Sequence, residues 1–358
     1  MKRALLLILL ILVCATAWLA AALYLPYRGF SSEGVFVDVP RGAPRRVIAR
    51  LLAEKGVVRS RVAFEALCRW RRRRTLQAGE YFFDRRVTAF DVFRALAEGK
   101  VYVRTVSVPE GFSIFEIAEL MEREGFLSRQ AFLEAAGDPT PVLDLAPGAR
   151  SLEGFLFPAT YQFPRRVSPQ EAVGAMVRRF REVWRSLPDA SRNRDGLPAH
   201  AVATLASLVE RETSVPEERP IIAGVFSNRL RRGQALECDP TVIYALKRAG
   251  KYTGTLHARD LRFPSPYNTY RHPGLPPGPI ANPGEASLRA ALDPSPVDYF
   301  YFVANAQGGH FFSRTLQEHN FNVARYRRLL AQNIDTNGSA AQHLPDASSR
   351  KPSPPRPR

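Results

Sequence analysis

VFVDVPRGAPRRVIARLLAEKGVV (Val35–Val58) changes its hydrophobic period midway, and that change sets the fold class. Val35, Val37 and Val39 repeat at every second position, as on a strand with one buried face. Beyond the Pro/Gly turn the apolar positions become Val47, Ile48, Leu51 and Leu52, which share one side of a helix. The alternation continues outward. VAFEALCRWRRRR (62–74) reads as a helix and GEYFF (79–83) as a strand. TAFDVFRALAEGK (88–100) reads as a helix closed by Gly99, and VYVRTVSVPEG (101–111) as a further strand. Residues 35–110 are therefore expected to form a small α+β module, and the chain as a whole belongs to the α+β class.

Ahead of the module, Ala4–Leu25 holds 22 residues without a charge, about the ~20 that cross the hydrocarbon of a bilayer as a helix. The apolar run continues past the small residues at 15–17 and 20–22, so it reads as a retained transmembrane helix (4–25) and not a cleaved signal. Lys2 and Arg3 precede it. By the positive-inside rule residues 1–3 stay in the cytoplasm and the rest crosses the membrane.

After the module, 111–150 is expected to be a helical connector, with Ser113 and Ser128 as N-caps. A Pro/Gly-rich break at 138–150 marks a domain boundary. The remainder, 151–332, alternates helices with a long Pro-, Gly-, Tyr- and Asn-rich stretch (239–284) and an aromatic hairpin, and forms a C-terminal α+β domain. The Ser/Pro/Arg tail from 335 to 358 is expected to be disordered.

The net charge of +17 suits nucleic acid, but a chain facing outward meets anionic lipid head groups and wall polymers instead, so no nucleic-acid partner is expected. Cys14, Cys68 and Cys238 make no disulfide framework, and whether Cys68 and Cys238 pair stays open. No metal-ligand spacing, phosphate loop or nucleophile elbow is present, and no metal or cofactor is expected.

In LASLVERETS (205–214) two carboxylates lie two positions apart. Projected on a helix, Leu205, Leu208, Val209 and Glu212 fall on one stripe and Glu210 on another side. A carboxyl on the core-facing side is partly desolvated, which raises its pKa and favours the neutral acid, the form a general acid needs. The same pattern also fits a Glu212 that only caps the helix or pairs with an Arg such as Arg229.

ASLVERET, followed by VFSNRL, ECDPTVIYAL, SPYNTY, GLPPGPIANPG and YFYFVANAQGGHFFS, resembles in order the membrane-bound endolytic murein transglycosylase family (MltG, YceG-like) over 152–330, with a LysM-like portion before it. The resemblance implies a peptidoglycan lytic transglycosylase in the cell inner membrane with a periplasmic catalytic domain. It implies glycan strands as substrate and peptidoglycan synthases as partners. Glu212 is then the catalytic residue, acting first as acid and then as base, so that the 6-hydroxyl of the sugar closes a 1,6-anhydro ring. The alternative is a membrane-tethered, non-catalytic peptidoglycan-binding protein.

Within that frame Glu153, in LEGFLFP, is a candidate cleft-wall residue or a structural hydrogen bonder. Asn228 and Arg229 are candidates for holding the glycan, and Arg229 also for orienting Glu212. Tyr267, Asn268 and Tyr270 on a loop expected to be exposed offer ring faces and an amide for sugar. Glu237 and Asp239 are expected to cap the helix starting near Thr241, and His310 to bond structurally.

Overall fold

The computed structural model describes residues 2–187, 193 and 195–336. Two compact units divide the chain. The first holds the chain to Thr105 together with Gln162–Arg166; the second holds Val106–Tyr161 and the chain from Val167 onward.

In the first unit α1 (Lys2–Tyr24) includes Leu5–Tyr24, 20 residues long and apolar enough to cross a membrane. Its side chains from Leu5 to Val13 are exposed, and only its last turn packs, with Ala22 buried and the Tyr24 ring 4.8 Å from that of Phe90. There follow β1 (Val35–Val39), α2 (Arg45–Glu54), α3 (Arg61–Trp70), β2 (Gly79–Phe83) and α4 (Ala89–Glu98). β1 and β2 pair antiparallel with Val37 opposite Tyr81, both buried against Ile48, Leu52, Phe64 and Leu96. Each short strand offers one apolar face and each helix one apolar stripe, and together these close a single core.

Two expectations shift here. α3 ends at Trp70 and not at Arg74, and turns occupy Arg71–Arg73. Four successive like charges disfavour a further helical turn. The Arg45 guanidinium holds the chain end instead, donating to the carbonyls of Cys68 (2.9 Å), Arg72 (2.8 Å) and Arg74 (3.0 Å). The strand expected over 101–111 contracts to β3 (Arg104–Ser107).

β3 and β4 (Thr160–Phe163) each belong partly to one unit and partly to the other, and the second unit contains α5 (Ile114–Arg123), α6 (Arg129–Gly137), α7 (Pro169–Ser186), α8 (Ala199–Glu212), α9 (Arg219–Arg231), α10 (Asp239–Arg248) and α11 (Glu285–Leu292). The hairpin β5 (Tyr301–Ala304) and β6 (His310–Ser313) and then α12 (Leu316–Thr336) complete it. Three two-stranded ladders result: β1–β2, β3–β4 and β5–β6. Ser113 and Ser128 cap α5 and α6 as expected. The 138–150 break lies inside this unit, because α6 packs on α7 and the Leu152 amide donates to Ala136 O at 2.8 Å. α12 runs through Thr336, past the expected start of the tail at 335; the rest of that tail lies outside the described residues.

α8 is the axis of the unit. Every residue from Val202 to Val209 is buried, against α9, α10 and α11. Such a helix is buried all round, and its polar groups are placed at the end where it emerges.

Candidate active site

Glu212 is the last residue of α8, and Thr213 caps the end in extended conformation. A helix C-terminus carries partial negative charge from its free carbonyls, which disfavours a carboxylate there. Burial pushes the Glu212 carboxyl up to about 7; the like charge of Asp239 adds to this, while the Cys238 thiol, Arg211 and Arg229 act against it. The residue as a whole is only part-buried. Its carboxyl is crowded by protein atoms, at the end of a helix whose last three residues are part-buried.

Cys238 is buried and donates its S–H to Glu212; burial and the neighbouring carboxyl push the thiol well above its ordinary range, so it stays a neutral donor. Cys68 is buried in the first unit, and both thiols are free. Cys238, and not Glu237 or Asp239, occupies the N-cap of α10, and its side chain makes no cap hydrogen bond. Asp239 is instead the first helical residue and accepts from the Tyr270 hydroxyl at 2.6 Å. Glu237 reaches the Arg229 guanidinium at 3.1 Å from a backbone with φ of 51°, the only positive φ outside glycine among the described residues. Strain of that kind collects where surrounding structure fixes a chain for a purpose. Here the fixing comes from the Cys238 amide on Thr269 Oγ1 (3.0 Å) and from Arg229, which donates to Ala235 O (3.1 Å), Leu236 O (3.0 Å) and Phe300 O (2.6 Å).

The other candidates separate by exposure. Arg229 and Asn228 are buried, and Asn228 spends its amide N–H groups on the carbonyls of Val297 and Tyr299, each at 2.8 Å. Tyr267 and Asn268 are buried as well, which corrects the expected exposed loop. Asn268 donates to Leu261 O and Phe263 O at 2.9 Å each, and the Tyr267 ring lies 5.0 Å from that of Tyr244. Thr269 Oγ1 meets Thr241 Oγ1 of α10 at 2.9 Å, and the Asn268 amide closes the loop on itself. Tyr270 is part-buried, beside exposed Asp239.

Glu153 is fully enclosed. Both its oxygens accept from the Ile114 amide at 3.1 Å, Asn282 Nδ2 donates at 3.0 Å, and the Tyr244 hydroxyl bonds it; burial pushes it up to about 8. Asn282 also donates to Phe112 O and accepts from the amides of Gly154 and Leu156, all at 2.9 Å, so each polar atom of that side chain is used. Glu210 is a third case. Arg219 reaches it at 3.4 Å and the Gly284 amide, at the start of α11, donates at 2.9 Å, with the two side chains 6% and 10% exposed for Glu210 and Arg219. It ties α8 to α9 and α11. Next to Glu212, Thr213 Oγ1 donates to Glu218 at 3.1 Å, and Glu218 takes the His310 amide and ring at 2.7 Å each. His310 thus bonds structurally.

Asn282, Glu218 and Cys238 escaped the sequence reading. A thiol just ahead of a helix and an amide in a Pro/Gly-rich loop carry no periodic signal, although GPIANPG already placed Asn282 in a stretch too long for a plain connection.

A family model of YceG-like proteins matches residues 37–325. The endolytic murein transglycosylase of Bacillus subtilis (strain 168) is 33% identical over 320 residues, covering 84% of this chain and 87% of that protein. The Streptococcus pneumoniae (strain R6) protein of the same name is 28% identical over 333 residues, 84% of this chain but 60% of the pneumococcal one. The crystal structure of a YceG-like protein from Listeria monocytogenes superposes with a TM-score of 0.54 at 32% identity, over 81% of this chain and 99% of that one. With most of its length matched by the family model and by these relatives, the chain belongs to the YceG-like family.

Proposed function

We propose that the chain is a lytic murein transglycosylase that cuts peptidoglycan glycan strands internally at the MurNAc–GlcNAc bond, with Glu212 as its one catalytic carboxyl. The names of the relatives support the reaction class. The observation that supports Glu212 is a carboxyl raised to about 7 where α8 reaches the surface.

Near neutral pH a large fraction of such a group is protonated. It gives its proton to the glycosidic oxygen as the bond from C1 to that oxygen breaks. The resulting carboxylate then takes the proton of the same sugar's 6-hydroxyl as O6 bonds to C1. The ring closes as a 1,6-anhydro end, Glu212 regains its proton and no water enters. Intramolecular attack supplies the proximity that a second carboxylate would otherwise provide. Tyr270 is the candidate with ring surface left for a sugar face. Arg229 and Asn228 act by fixing the backbone around Glu212, and Glu153, Tyr267 and Asn268 by holding the walls.

The same reading makes α1 a single-pass anchor in the inner membrane, its N-terminus cytoplasmic and the chain after it periplasmic. The strand–helix–helix–strand order of the first unit supports a LysM-like module. Nascent strands and their synthases are the expected partners.

Incubating the protein with peptidoglycan strands and analysing products by mass spectrometry tests this. Ends in 1,6-anhydroMurNAc from wild type and none from Glu212→Gln are expected. Reducing ends would mean a hydrolase, and no cleavage by wild type a tethered binder.

A further inference from the structure

On the first unit, α3 turns an apolar and basic face outward. Val62 and Trp70 are 68% and 66% exposed and, with Glu65, Ala66 and Arg69, line a shallow depression on that helix. Trp70 does not stand alone. Its ring meets Phe90 edge-on at 6.2 Å, and Phe90 lies 4.8 Å from Tyr24, the last residue of α1. Two ring-to-ring steps therefore join the exposed indole to the end of the apolar helix.

Arg69 and Arg71–Arg74 flank Trp70 in the sequence and are exposed, with the Arg71 guanidinium 4.6 Å over the Trp70 ring. The backbone that carries them is fixed by Arg45, which bonds the carbonyls of Cys68, Arg72 and Arg74. Residues 28–105 hold 18 Lys and Arg against 8 Asp and Glu, so this stretch carries +10 of the net +17.

We infer that this face seats in the head-group layer of an anionic bilayer leaflet, beside the point where α1 leaves it. The inference rests on α1 spanning the membrane. Tyr24 then lies at the interface level, where Trp and Tyr rings collect, and the chain of rings brings Trp70 close to that level. Arginines near an anionic surface are attracted to its potential, and the attraction fades within a Debye length. An anionic wall polymer offers charge alone; the head-group boundary offers charge to the arginines and apolar contact to Val62 and Trp70. A few such contacts would not hold a free protein. In a chain already tethered they act at high effective concentration, and that suffices to fix the orientation of the unit.

The test uses full-length protein reconstituted into vesicles with two single-tryptophan variants. Trp18→Phe with Trp184→Phe leaves Trp70; Trp70→Phe with Trp184→Phe leaves Trp18. Bromines placed deep in the acyl chains should quench Trp18 and so report the span. Bromines placed near the head group should remove most Trp70 emission and shift it to the blue in phosphatidylglycerol vesicles. Phosphatidylcholine vesicles, high salt, or Arg71, Arg72, Arg73 and Arg74 all changed to Gln should each reverse that loss. Trp18 quenched while Trp70 emits as in water would overturn the surface and leave the span intact. Trp18 unquenched would overturn both. Trp70 quenching indifferent to lipid charge and to the arginines would overturn the anionic assignment, as would Trp70 shielded by a soluble anionic wall polymer but not quenched by lipid.

Discussion

Glu153 and Glu212 lie in the same unit, and burial pushes both toward the neutral acid, to about 8 and about 7. Their surroundings are opposite. Glu153 is 2% exposed, and a backbone amide, an amide side chain and a tyrosine hydroxyl bond it. Glu212 has one weak thiol donor, sits at the unfavourable end of a helix and, taken as a whole residue, is only part-buried. A raised pKa marks both a structural and a reactive carboxyl, and what separates them is access and spare hydrogen-bonding capacity. The sealed group has neither to offer a substrate.

Removing the acid from each site is the sharpest way to break the comparison. Glu212→Gln should lower glycan cleavage on the order of 10³-fold while the melting temperature stays close to wild type, because an acid–base group contributes about 10²–10⁴-fold and this one makes few native bonds. Glu153→Gln should leave the rate near wild type, since the acid it replaces is already neutral and an amide oxygen can still accept. Equal losses of rate from the two substitutions would break the distinction.

The second prediction inverts the first. Glu153→Ala strips the acceptor from the Ile114 amide, Asn282 Nδ2 and the Tyr244 hydroxyl at once. Unpaired buried donors cost about 1–3 kcal/mol each and do not add fully, so a loss of about 3–5 kcal/mol is expected. In a unit of this size that lowers the melting temperature by roughly 10 °C. A calorimetric melt of the variant checks it.

Glu210 sharpens the contrast from the same helix. Glu210→Ala leaves the Arg219 charge, 10% exposed, without its carboxylate, at a cost of about 3 kcal/mol. Cleavage per folded molecule should persist, measured as anhydro ends normalised to the folded fraction. Loss of cleavage without loss of stability would return Glu210 to the chemistry.

Much of this was legible from periodicity, and the rest for a definite reason was not. Val35, Val37 and Val39 place β1 by alternation, and Ser113, Ser128 and Gly99 fix helix ends by local chemistry. Periodicity points to Glu212 for an incomplete reason: α8 is buried on all sides, so it has no single apolar stripe for Glu212 to continue. What distinguishes the two glutamates is tertiary. Arg219, nine residues on, and the Gly284 amide, 74 residues on, hold Glu210, and Cys238 and Asp239 come beside Glu212. The burial of Tyr267 and Asn268 was likewise hidden, since a Pro- and Gly-rich segment reads as an exposed loop whether or not its amides close it against a helix.

The smallest expected effects are shifts in pH dependence, and they test the causes of the Glu212 pKa one at a time. If Glu212 must enter the reaction protonated, cleavage should fall as pH rises through about 7. The stability linkage has the same sign. The folded chain holds these two protons above the ordinary carboxyl range, so stability declines as pH rises from about 4.5 through about 7 for Glu212 and about 8 for Glu153. Each group contributes at most about 1.4 kcal/mol per pH unit. Asp239→Asn removes the like charge that raises Glu212, so the alkaline limb of the rate profile should move to lower pH. Cys238→Ala removes the thiol that favours the carboxylate, and the limb should move to higher pH. Opposite displacements from adjacent residues cannot come from a general loosening of the loop, which would move both the same way. Glu153, enclosed by its own partners, should keep its titration in both variants, as read by carboxyl carbon chemical shifts.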